Sequence, residues 1–338
     1  MIDLMTLDEG TLSQSTKAIK EEAIKRNWHV DVFRTNSSHR IITRDDGKRM
    51  HIFGSVPPDT SYAAAKASND KLLTYELLED VNIPLLDLVT VSDDNELQEA
   101  IEFMVKKGKV VVKPVDGSHG HGITVDITDE PSLRRAISVA REATKQSKFV
   151  IVQEQYDHEM ICDLRMLCIN YKFIGAIWRV QARVFGDGQS TIEQLIHAEN
   201  ATERRGVAYH KELATINLDQ ARLYLGDRMN EVPAKEQEVS VMGVANYGAG
   251  GETVDITDDI PAWLIEDAER TARACELIVA GVDFMLAQVP TVKSTYEELL
   301  PAITEVNKAP LLTMHDTPTR GKGNRGATKA FMDHLASL

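Results

Sequence analysis

Amphipathic segments along the chain predict a series of helices. In each segment, apolar residues recur at the three- and four-residue spacing of one helix face, as Leu97, Ile101 and Met104 do. Gly108 follows that stripe where a helix would end, and Pro131 stands where the next helix would begin. The predicted helices cover residues 15–26, 61–80, 94–107, 130–147, 261–279 and 327–335.

Short β-branched runs between these helices predict strands. Residues 110–112 are three valines, a run too short and too β-branched for a helix. Residues 165–171 and 172–180 predict a hairpin that turns near Asn170. Further strands are predicted at residues 30–33, 51–53, 123–127, 149–153, 282–284 and 303–306. Helices mixed with antiparallel strands predict the α+β fold class.

Loops divide the chain into three predicted regions. The loop of residues 54–60, which contains Pro57 and Pro58, closes the first region. The second region has the order helix, strand, glycine-rich loop, strand, helix, strand, and the third alternates strands with helices. The predicted regions are residues 1–64, 65–153 and 154–338.

The composition excludes several classes of function. The chain has 338 residues, with 38 Lys and Arg against 52 Asp and Glu, and therefore a formal net charge of −14. Phosphate contacts need a basic surface, so we expect no nucleic-acid partner. No apolar run approaches the ~20 residues of a membrane span, and the first residues do not predict a signal peptide. The three cysteines lack CxxC spacing, which is typical of reduced thiols, so we expect a cytoplasmic protein without a membrane partner.

A glycine-rich loop separates two of the predicted strands. It consists of Asp116, Gly117, Ser118, His119, Gly120, His121 and Gly122. Glycine lets the backbone approach a ligand closely and direct successive N–H groups at an anion. On glycine content alone a plain hairpin loop is favoured. Lys113, which precedes the loop at a strand end, shifts the balance toward phosphate binding.

Acidic residues interrupt two strands that are otherwise apolar. Glu305 and Asn307 are two positions apart on one strand, so their side chains leave the same face. Asp283 lies in another apolar strand, where a carboxylate is costly unless it is paired or bound to a metal. Two carboxylates and one amide oxygen suit Mg²⁺. A salt-bridged or solvent-facing strand surface explains the same residues equally well.

A basic loop near the C-terminus has the spacing of a phosphate-binding P-loop. Residues 321–328 contain two glycines at the P-loop distance, but Ala327 occupies the position that requires lysine, and no strand leads into the loop. The P-loop interpretation is therefore rejected. Arg320, Lys322 and Arg325 remain as a basic cluster suited to a carboxylate or a phosphate, and a solvated loop explains them slightly better.

The order of these features resembles the ATP-grasp superfamily of carboxylate–amine ligases. Within that superfamily it is similar to the ATP-grasp parts of cyanophycin synthetase and of the bifunctional glutathione-synthesising enzyme. Each motif alone is weak, but many separated motifs in the right order over about residues 65–330 are specific. The segments are residues 112–114, 116–122, 153–156, 163–165, 178–179, 182–188, 190–192, 203–206, 246, 250–251, 281–283, 305–307 and 314–315.

The resemblance implies the ATP-grasp fold. Residues 1–64 would lie on the substrate side, residues 65–153 would form a small lid, and residues 154–338 would form a larger C-terminal part with a metal site. The nucleotide would bind between the last two parts. The implied cofactors are ATP and Mg²⁺, with Mn²⁺ as an alternative ion.

The resemblance also implies roles for individual residues in nucleotide binding. Lys71 and Lys113 would contact the nucleotide, and the loop of residues 116–122 would close over its phosphates as a mobile lid. Glu154 and Gln155 would present the hinge edge to adenine. Asp163 would lie near the ribose.

The remaining implied roles concern the reaction centre. Arg179, together with Lys113, would stabilise the transferring phosphate, and Asn246 would lie beside the phosphates. The implied metal ligands are Asp283, Glu305 and Asn307. The candidates for substrate binding are Arg183, Arg320 and Arg325.

The implied reaction joins a carboxylate to an amine of amino acids or small peptides. It would pass through an acyl phosphate and release ADP and phosphate. Two alternatives remain open: a ligase of the same fold that acts on a protein tail or a thiol acceptor, and a catalytically inactive nucleotide-binding regulator. A homo-oligomer is compatible with the sequence.

Overall fold

The computed structural model describes residues 1–8, 12–93, 95–116, 121–144, 147–243 and 245–338. Within these residues the strands form two four-stranded sheets, one five-stranded sheet and two two-stranded sheets. Helices pack against the large sheets and share their apolar cores. The predicted α+β fold class is confirmed.

A four-stranded antiparallel sheet and one helix form the N-terminal part. The elements are β1 (Ile2–Asp3), α1 (Gln14–Lys25), β2 (His29–Phe33), β3 (Asn36–Thr43) and β4 (Arg49–Phe53). The strands lie in the order β1-β2-β3-β4. The predicted helix and the predicted strands at residues 30–33 and 51–53 are confirmed. The sequence pattern does not predict strand β3, because its first four residues, 36–39, are polar.

The prediction of one helix over residues 61–80 is wrong. The structure has two helices here, α2 (Tyr62–Ala67) and α3 (Lys71–Glu79). Asp70 begins the second helix, because its side chain accepts hydrogen bonds from two backbone N–H groups of the first turn. The break places Lys71 at the first position of α3.

The buried face of α3 is not the one that its leucine spacing predicts. Leu73 and Leu77 are 45% and 41% exposed, whereas Thr74, Tyr75 and Leu78 are buried. Leu78 lies in the core that is formed with the C-terminal sheet. By its packing, α3 therefore joins the C-terminal core, although its sequence falls within the predicted second region.

Four antiparallel strands and two helices form a small subdomain, which corresponds to the predicted lid. The elements are β5 (Leu88–Val91), α4 (Leu97–Lys107), β6 (Val110–Pro114), β7 (Thr124–Ile127), α5 (Glu130–Ala143) and β8 (Val150–Glu154). The strands lie in the order β5-β8-β6-β7, and both helices share one core with them. Helix α5 ends before the predicted residue 147, because Thr144 adopts an extended backbone conformation.

The C-terminal part is built on the five-stranded sheet. Its elements are β9 (Cys162–Ile169), β10 (Lys172–Val180), β11 (Arg183–Phe185), α6 (Ile192–Asn200), β12 (Arg205–Gly206), β13 (Leu213–Ala214), α7 (Leu218–Leu225), β14 (Glu238–Ser240), β15 (Glu252–Asp255), α8 (Ala262–Ala274), β16 (Val279–Leu286), α9 (Tyr296–Leu299), β17 (Ala302–Asn307), α10 (Thr313–Asp316) and α11 (Ala327–Ser337). The strand order is β15-β10-β9-β16-β17. The predicted hairpin is confirmed as β9 and β10. Helix α8 is shorter than predicted because it ends at Ala274, just before Glu276 adopts a left-handed backbone conformation with a φ of +51°.

The register of the five-stranded sheet brings charged residues from four strands together. Asp283 on β16 lies opposite Glu305 on β17 and opposite Arg165 on β9. Two positions along β9, Asp163 lies opposite Arg179 on β10. These positions form two neighbouring charged rows of the sheet, and the candidate site lies along them.

The N-terminal sheet and the C-terminal part share an apolar core. Leu4, which follows β1, and Val30 of β2 lie in the same buried cluster as Leu167 of β9 and Phe331 of α11. The lid has a separate core, and so does the segment from β11 to β14. The division at residues 64 and 153 stays a prediction. In the part of the chain that the structure describes, no helix is long and apolar enough to cross a membrane.

We expect Phe331→Ala to destabilise the N-terminal and C-terminal parts together. Phe331 is fully buried in their shared core, and truncating a buried phenylalanine costs about 3–5 kcal/mol of unfolding free energy. Denaturant unfolding followed by tryptophan fluorescence measures the change. Leu223→Ala is the matched control, because Leu223 is 87% exposed and its truncation should cost less than about 0.5 kcal/mol. A loss below about 1 kcal/mol for Phe331→Ala would contradict the shared core.

Candidate functional site

A crevice lies between helix α3 and strand β17. Lys71 and Tyr75 of α3 face it from one side, and Glu305 of β17 faces it from the other. The full set of lining residues is Ser68, Lys71, Thr74, Tyr75, Ile303, Thr304, Glu305 and Val306. Lys71 and Glu305, two of the predicted site residues, therefore lie in the same crevice.

Lys113 is a buried cation at the end of lid strand β6. Its side chain donates a 2.6 Å hydrogen bond from Nζ to Gln153 Oε1, and Nζ lies 5.6 Å from the centroid of the Tyr75 ring. Burial and, to a smaller extent, the nearby charge of Lys71 lower the pKa of Lys113 to about 8, and the charge of Glu305 opposes them. Lys71, Lys113 and Glu305 are thus close enough to influence one another, as the predicted phosphate-binding arrangement requires.

Gln153 connects the lid to the large sheet. Its amide nitrogen donates a hydrogen bond to the Tyr75 hydroxyl, which in turn donates to the backbone carbonyl of Ile303 at 3.0 Å. Burial raises the pKa of Tyr75 to about 12, so this hydroxyl keeps its proton. Neither role is predicted from the sequence, in which Gln153 is marked only as a polar residue at the end of the apolar run 150–152.

Asp283 is paired with two arginines at the centre of the sheet. Arg165 donates to the two Asp283 carboxylate oxygens at 2.7 and 2.6 Å, and an Arg179 nitrogen lies 3.0 Å from Oδ2. The side chain of Asp283 is only 2% exposed. Burial raises its pKa, but the two guanidinium groups outweigh burial and hold the pKa of this carboxyl below its usual range. The salt-bridged alternative from the sequence therefore applies to Asp283.

Arg179 also contacts Asp163, the residue predicted to lie near the ribose. Arg179 Nε donates to Asp163 Oδ1 at 3.0 Å. Burial raises the pKa of Asp163, although Arg179 opposes that effect. Burial also lowers the pKa of Arg179, but the carboxylates of Asp283 and Asp163 raise it more strongly, so Arg179 remains a cation. The predicted catalytic arginine thus bridges two carboxylates, one of them a predicted metal ligand.

Glu305 and Asn307 complete the predicted metal set. Asn307 Nδ2 lies 3.4 Å from Asp283 Oδ2, which leaves the amide oxygen of Asn307 available. Among the described residues, no hydrogen bond or ion pair engages the Glu305 carboxylate. Asp283 Oδ1 has one hydrogen-bond donor, Arg165 Nε, so a lone pair remains there.

This donor set fits a hard cation. Within the residues that the structure describes there is no cluster of three or more His, Cys, Asp or Glu side chains arranged for a metal. Two carboxylates with one amide oxygen and water are nevertheless ordinary ligands of Mg²⁺, which keeps several waters in protein sites. Glu305 would be the main ligand, because it alone of the three carries an unpaired carboxylate.

The predicted hinge residues make contacts within the lid. Glu154 forms a 2.7 Å ion pair with Lys107, and Gln155 exchanges hydrogen bonds of 2.7 and 2.8 Å with Asp126. These contacts tie the end of β8 to α4 and β7. The contact of Glu154 and Gln155 with adenine stays a prediction.

The glycine-rich loop is described only at its two ends. Gly117, Ser118, His119 and Gly120 lie outside the described residues. Asp116 follows strand β6, and His121 is exposed. Gly122 has a φ of +76°, and a Cβ atom there would lie 2.5 Å from the Cβ of Ala143. The end of this loop therefore requires glycine, both for its backbone conformation and for its close approach to α5.

Asn246 shapes a turn next to strand β10. Its side-chain oxygen accepts a 2.8 Å hydrogen bond from the backbone N–H of Gly248. The turn passes close to the end of β10, because a Cβ atom at Gly251 would lie 2.7 Å from the carbonyl oxygen of Val180. The predicted position of Asn246 beside the phosphates remains a prediction.

The three candidate substrate arginines pair with acidic residues of or near strand β15. Arg183 and Arg320 both bind Glu252, at 2.9 and 2.8 Å. Arg325 pairs with Asp255 at 2.7 Å and with Asp258 at 2.8 Å. None of the three lines the crevice between α3 and β17. Their role in substrate binding stays a prediction, and a substrate anion there would compete with these carboxylates.

Known proteins resemble this chain over almost all of its length. Residues 81–202 match the family model of the prokaryotic glutathione synthetase ATP-grasp domain. Cyanophycin synthetase of Crocosphaera subtropica is 34% identical over 98% of this chain and 38% of its own length. The glutathione biosynthesis bifunctional protein GshAB of Clostridium perfringens is 25% identical over 96% of this chain and 41% of its own length.

A solved structure supports the same fold. A bifunctional glutathione synthetase from Pasteurella multocida superposes with a TM-score of 0.69 at 22% identity, over 97% of this chain and 44% of that chain. This chain therefore spans about two fifths of the length of these relatives. The resemblance predicted from the order of the sequence motifs is confirmed. The chain has the ATP-grasp fold, and its sequence is similar to that of the glutathione synthetase ATP-grasp domain and of cyanophycin synthetase.

Proposed function

We propose that the chain is an ATP-dependent ligase that joins a carboxylate to an amine of amino acids or small peptides, with release of ADP and phosphate. One observation carries the proposal: in an ATP-grasp fold, Lys71 and Glu305 line one crevice, and buried Lys113 lies close enough for the charges of both to act on it. Cations on one side and a carboxylate on the other are what a nucleotide triphosphate with its metal ion requires.

The reaction needs charge neutralisation more than covalent chemistry from the protein. A carboxylate is a poor electrophile, so the γ-phosphoryl group is first transferred to it to make an acyl phosphate, which the amine then attacks. Lys113 and Lys71 would hold the phosphate oxygens, and Arg179 would stabilise the negative charge of the transferring group. Positioning of the substrates by these side chains supplies most of the rate enhancement.

A divalent ion fits the carboxylate side of the crevice. Bound Mg²⁺ would draw charge from the phosphate oxygens, and Glu305, Asn307 and the free lone pair of Asp283 would hold it. Arg165 and Arg179 keep Asp283 ionised, because they hold its pKa below the usual range despite burial. Asp283 therefore keeps the negative charge that it needs to bind a cation at neutral pH.

A side-chain nucleophile is not part of the proposal. The free cysteines Cys162, Cys168 and Cys275 are all buried. Burial raises the pKa of Cys168 and of Cys275 to about 12 and also raises the pKa of Cys162, so the thiols stay protonated. Buried free thiols also support our proposal that the ligase works in the cytoplasm.

The affinity for ATP should fall as pH rises through about 8. Lys113 is charged below its pKa of about 8 and neutral above it, and only the charged form attracts phosphate. Between pH 7 and pH 9 we expect about a tenfold loss of affinity for a non-hydrolysable ATP analogue. Calorimetric titration at constant Mg²⁺ concentration measures it.

Lys113→Arg is the control for this pH dependence. A guanidinium group stays charged throughout the range, so the affinity of this variant should change little with pH. An equal fall of affinity in Lys113→Arg would show that another group is responsible.

Glu305→Gln should abolish turnover while leaving the fold intact. The substitution keeps the shape of the side chain but removes the charge that holds the metal, so ADP formation should fall by at least about 100-fold. A screen of amino-acid and dipeptide pairs for ATP-dependent phosphate release, with mass spectrometry of the product, identifies the substrates for this assay. Glu297→Gln, an exposed change on α9, is the matched control and should keep wild-type turnover.

Two results would contradict the proposal. Near-normal ADP formation by Glu305→Gln would show that Glu305 is not a ligand of the metal ion. Nucleotide binding by the wild-type chain without phosphate release for any amino-acid or peptide pair would favour the nucleotide-binding regulator instead.

A further inference from the structure

The outer face of the N-terminal sheet carries two histidines in direct contact. His39 lies on β3 and His51 on β4, and the Nδ1 atom of His39 is 3.0 Å from the Nε2 atom of His51. The ring centroids are 5.2 Å apart. None of the residues on this face lines the crevice between α3 and β17.

The sheet register holds this pair together. His39 lies opposite Phe53, and His51 lies opposite Ile41, so the two histidines occupy diagonal positions on adjacent strands. In antiparallel strands such diagonal side chains on one face are within reach of each other. The backbone therefore sets the separation of the two imidazoles before any ligand binds.

Aromatic rings on both sides fix the orientation of the imidazoles. Phe33 contacts both histidines, with centroid distances of 5.9 Å to His39 and 5.5 Å to His51. Phe53 contacts His39 at 4.8 Å. The pair remains open to solvent on its outer side, since His51 is exposed and His39 is half-buried.

We propose that His39 and His51 form a binding site for a divalent transition-metal ion of the Cu²⁺ or Ni²⁺ type. Imidazole nitrogen is a preferred ligand of these ions, and Cu²⁺ binds such donors more tightly than the other divalent first-row metals. Nothing in the proposed ligase reaction uses this pair, so the inference is independent of that function.

The separation of the two nitrogens selects the geometry of the ion. With metal–nitrogen distances of about 2.0–2.1 Å, two ligands at a right angle have nitrogens about 2.9 Å apart, and two at a tetrahedral angle about 3.3 Å apart. The observed 3.0 Å is that of a hydrogen bond between the two rings, and it is also close to the separation of neighbouring positions around a square or tetragonal ion, so a bound ion would displace the shared proton. Structural zinc sites use four protein ligands, and the described residues contain no cluster of three or more His, Cys, Asp or Glu that would supply them. Water would fill the remaining positions.

Titration of the full chain with CuCl₂ tests the site. We expect a saturable Cu²⁺ site whose electron paramagnetic resonance spectrum shows coupling to two imidazole nitrogens, which distinguishes it from an ion bound to the oxygen ligands of the crevice. His39→Gln and His51→Gln should each weaken Cu²⁺ binding at least tenfold and leave coupling to one nitrogen. The matched control is His197→Gln, which removes an exposed histidine on α6 and should change neither result.

Further measurements separate this site from other sources of binding. Circular dichroism checks that each variant is folded, and Glu305→Gln, which leaves the histidine pair intact, should bind Cu²⁺ as the wild type does. Absence of a saturable site, or unchanged binding and nitrogen coupling in both histidine variants, would overturn the proposal. A wild-type chain without ligase turnover would contradict the proposed ligase function but not the proposed metal site at His39 and His51.

Discussion

The burial of one carboxylate, Asp283, constrains the site more than any other interaction. A buried charge is costly unless it is paired and hydrogen-bonded, and here Arg165 and Arg179 meet that requirement from two other strands. This pairing is possible only when β9, β10 and β16 keep their observed register. The separate pairing of β16 with β17 sets Glu305 opposite Asp283, so the unpaired carboxylate lies next to the buried one.

A second polar network joins the lid to this sheet. The chain of contacts from Lys113 through Gln153 and Tyr75 to the carbonyl of Ile303 crosses from the lid to β17. Because the network is buried, leaving any member unpaired would carry a desolvation penalty. It therefore holds the lid cation at a fixed position relative to Glu305. Two buried polar arrangements, one within the sheet and one across the crevice, together define the proposed site.

Local sequence patterns predict many of the helices and strands but not the side-chain contacts between residues that are distant in the sequence. The hairpin of β9 and β10 and the acidic positions on β16 and β17 were visible, because period-2 patterning and charge in apolar strands are local signals. Arg165 and Gln153 were not assigned roles, since their partners are 118 and 78 residues away and depend on strand register and packing. The break before α3 was missed because Asp70 acts as a cap within a segment whose leucine spacing resembles one continuous helix.

The most direct test is a crystal structure of the chain with a non-hydrolysable ATP analogue and Mg²⁺. We expect the terminal phosphates to lie between Lys113 and Lys71 on one side and strands β16 and β17 on the other, with the ion bound to Glu305 and Asn307. A nucleotide bound elsewhere, or an ion held without Glu305, would contradict it.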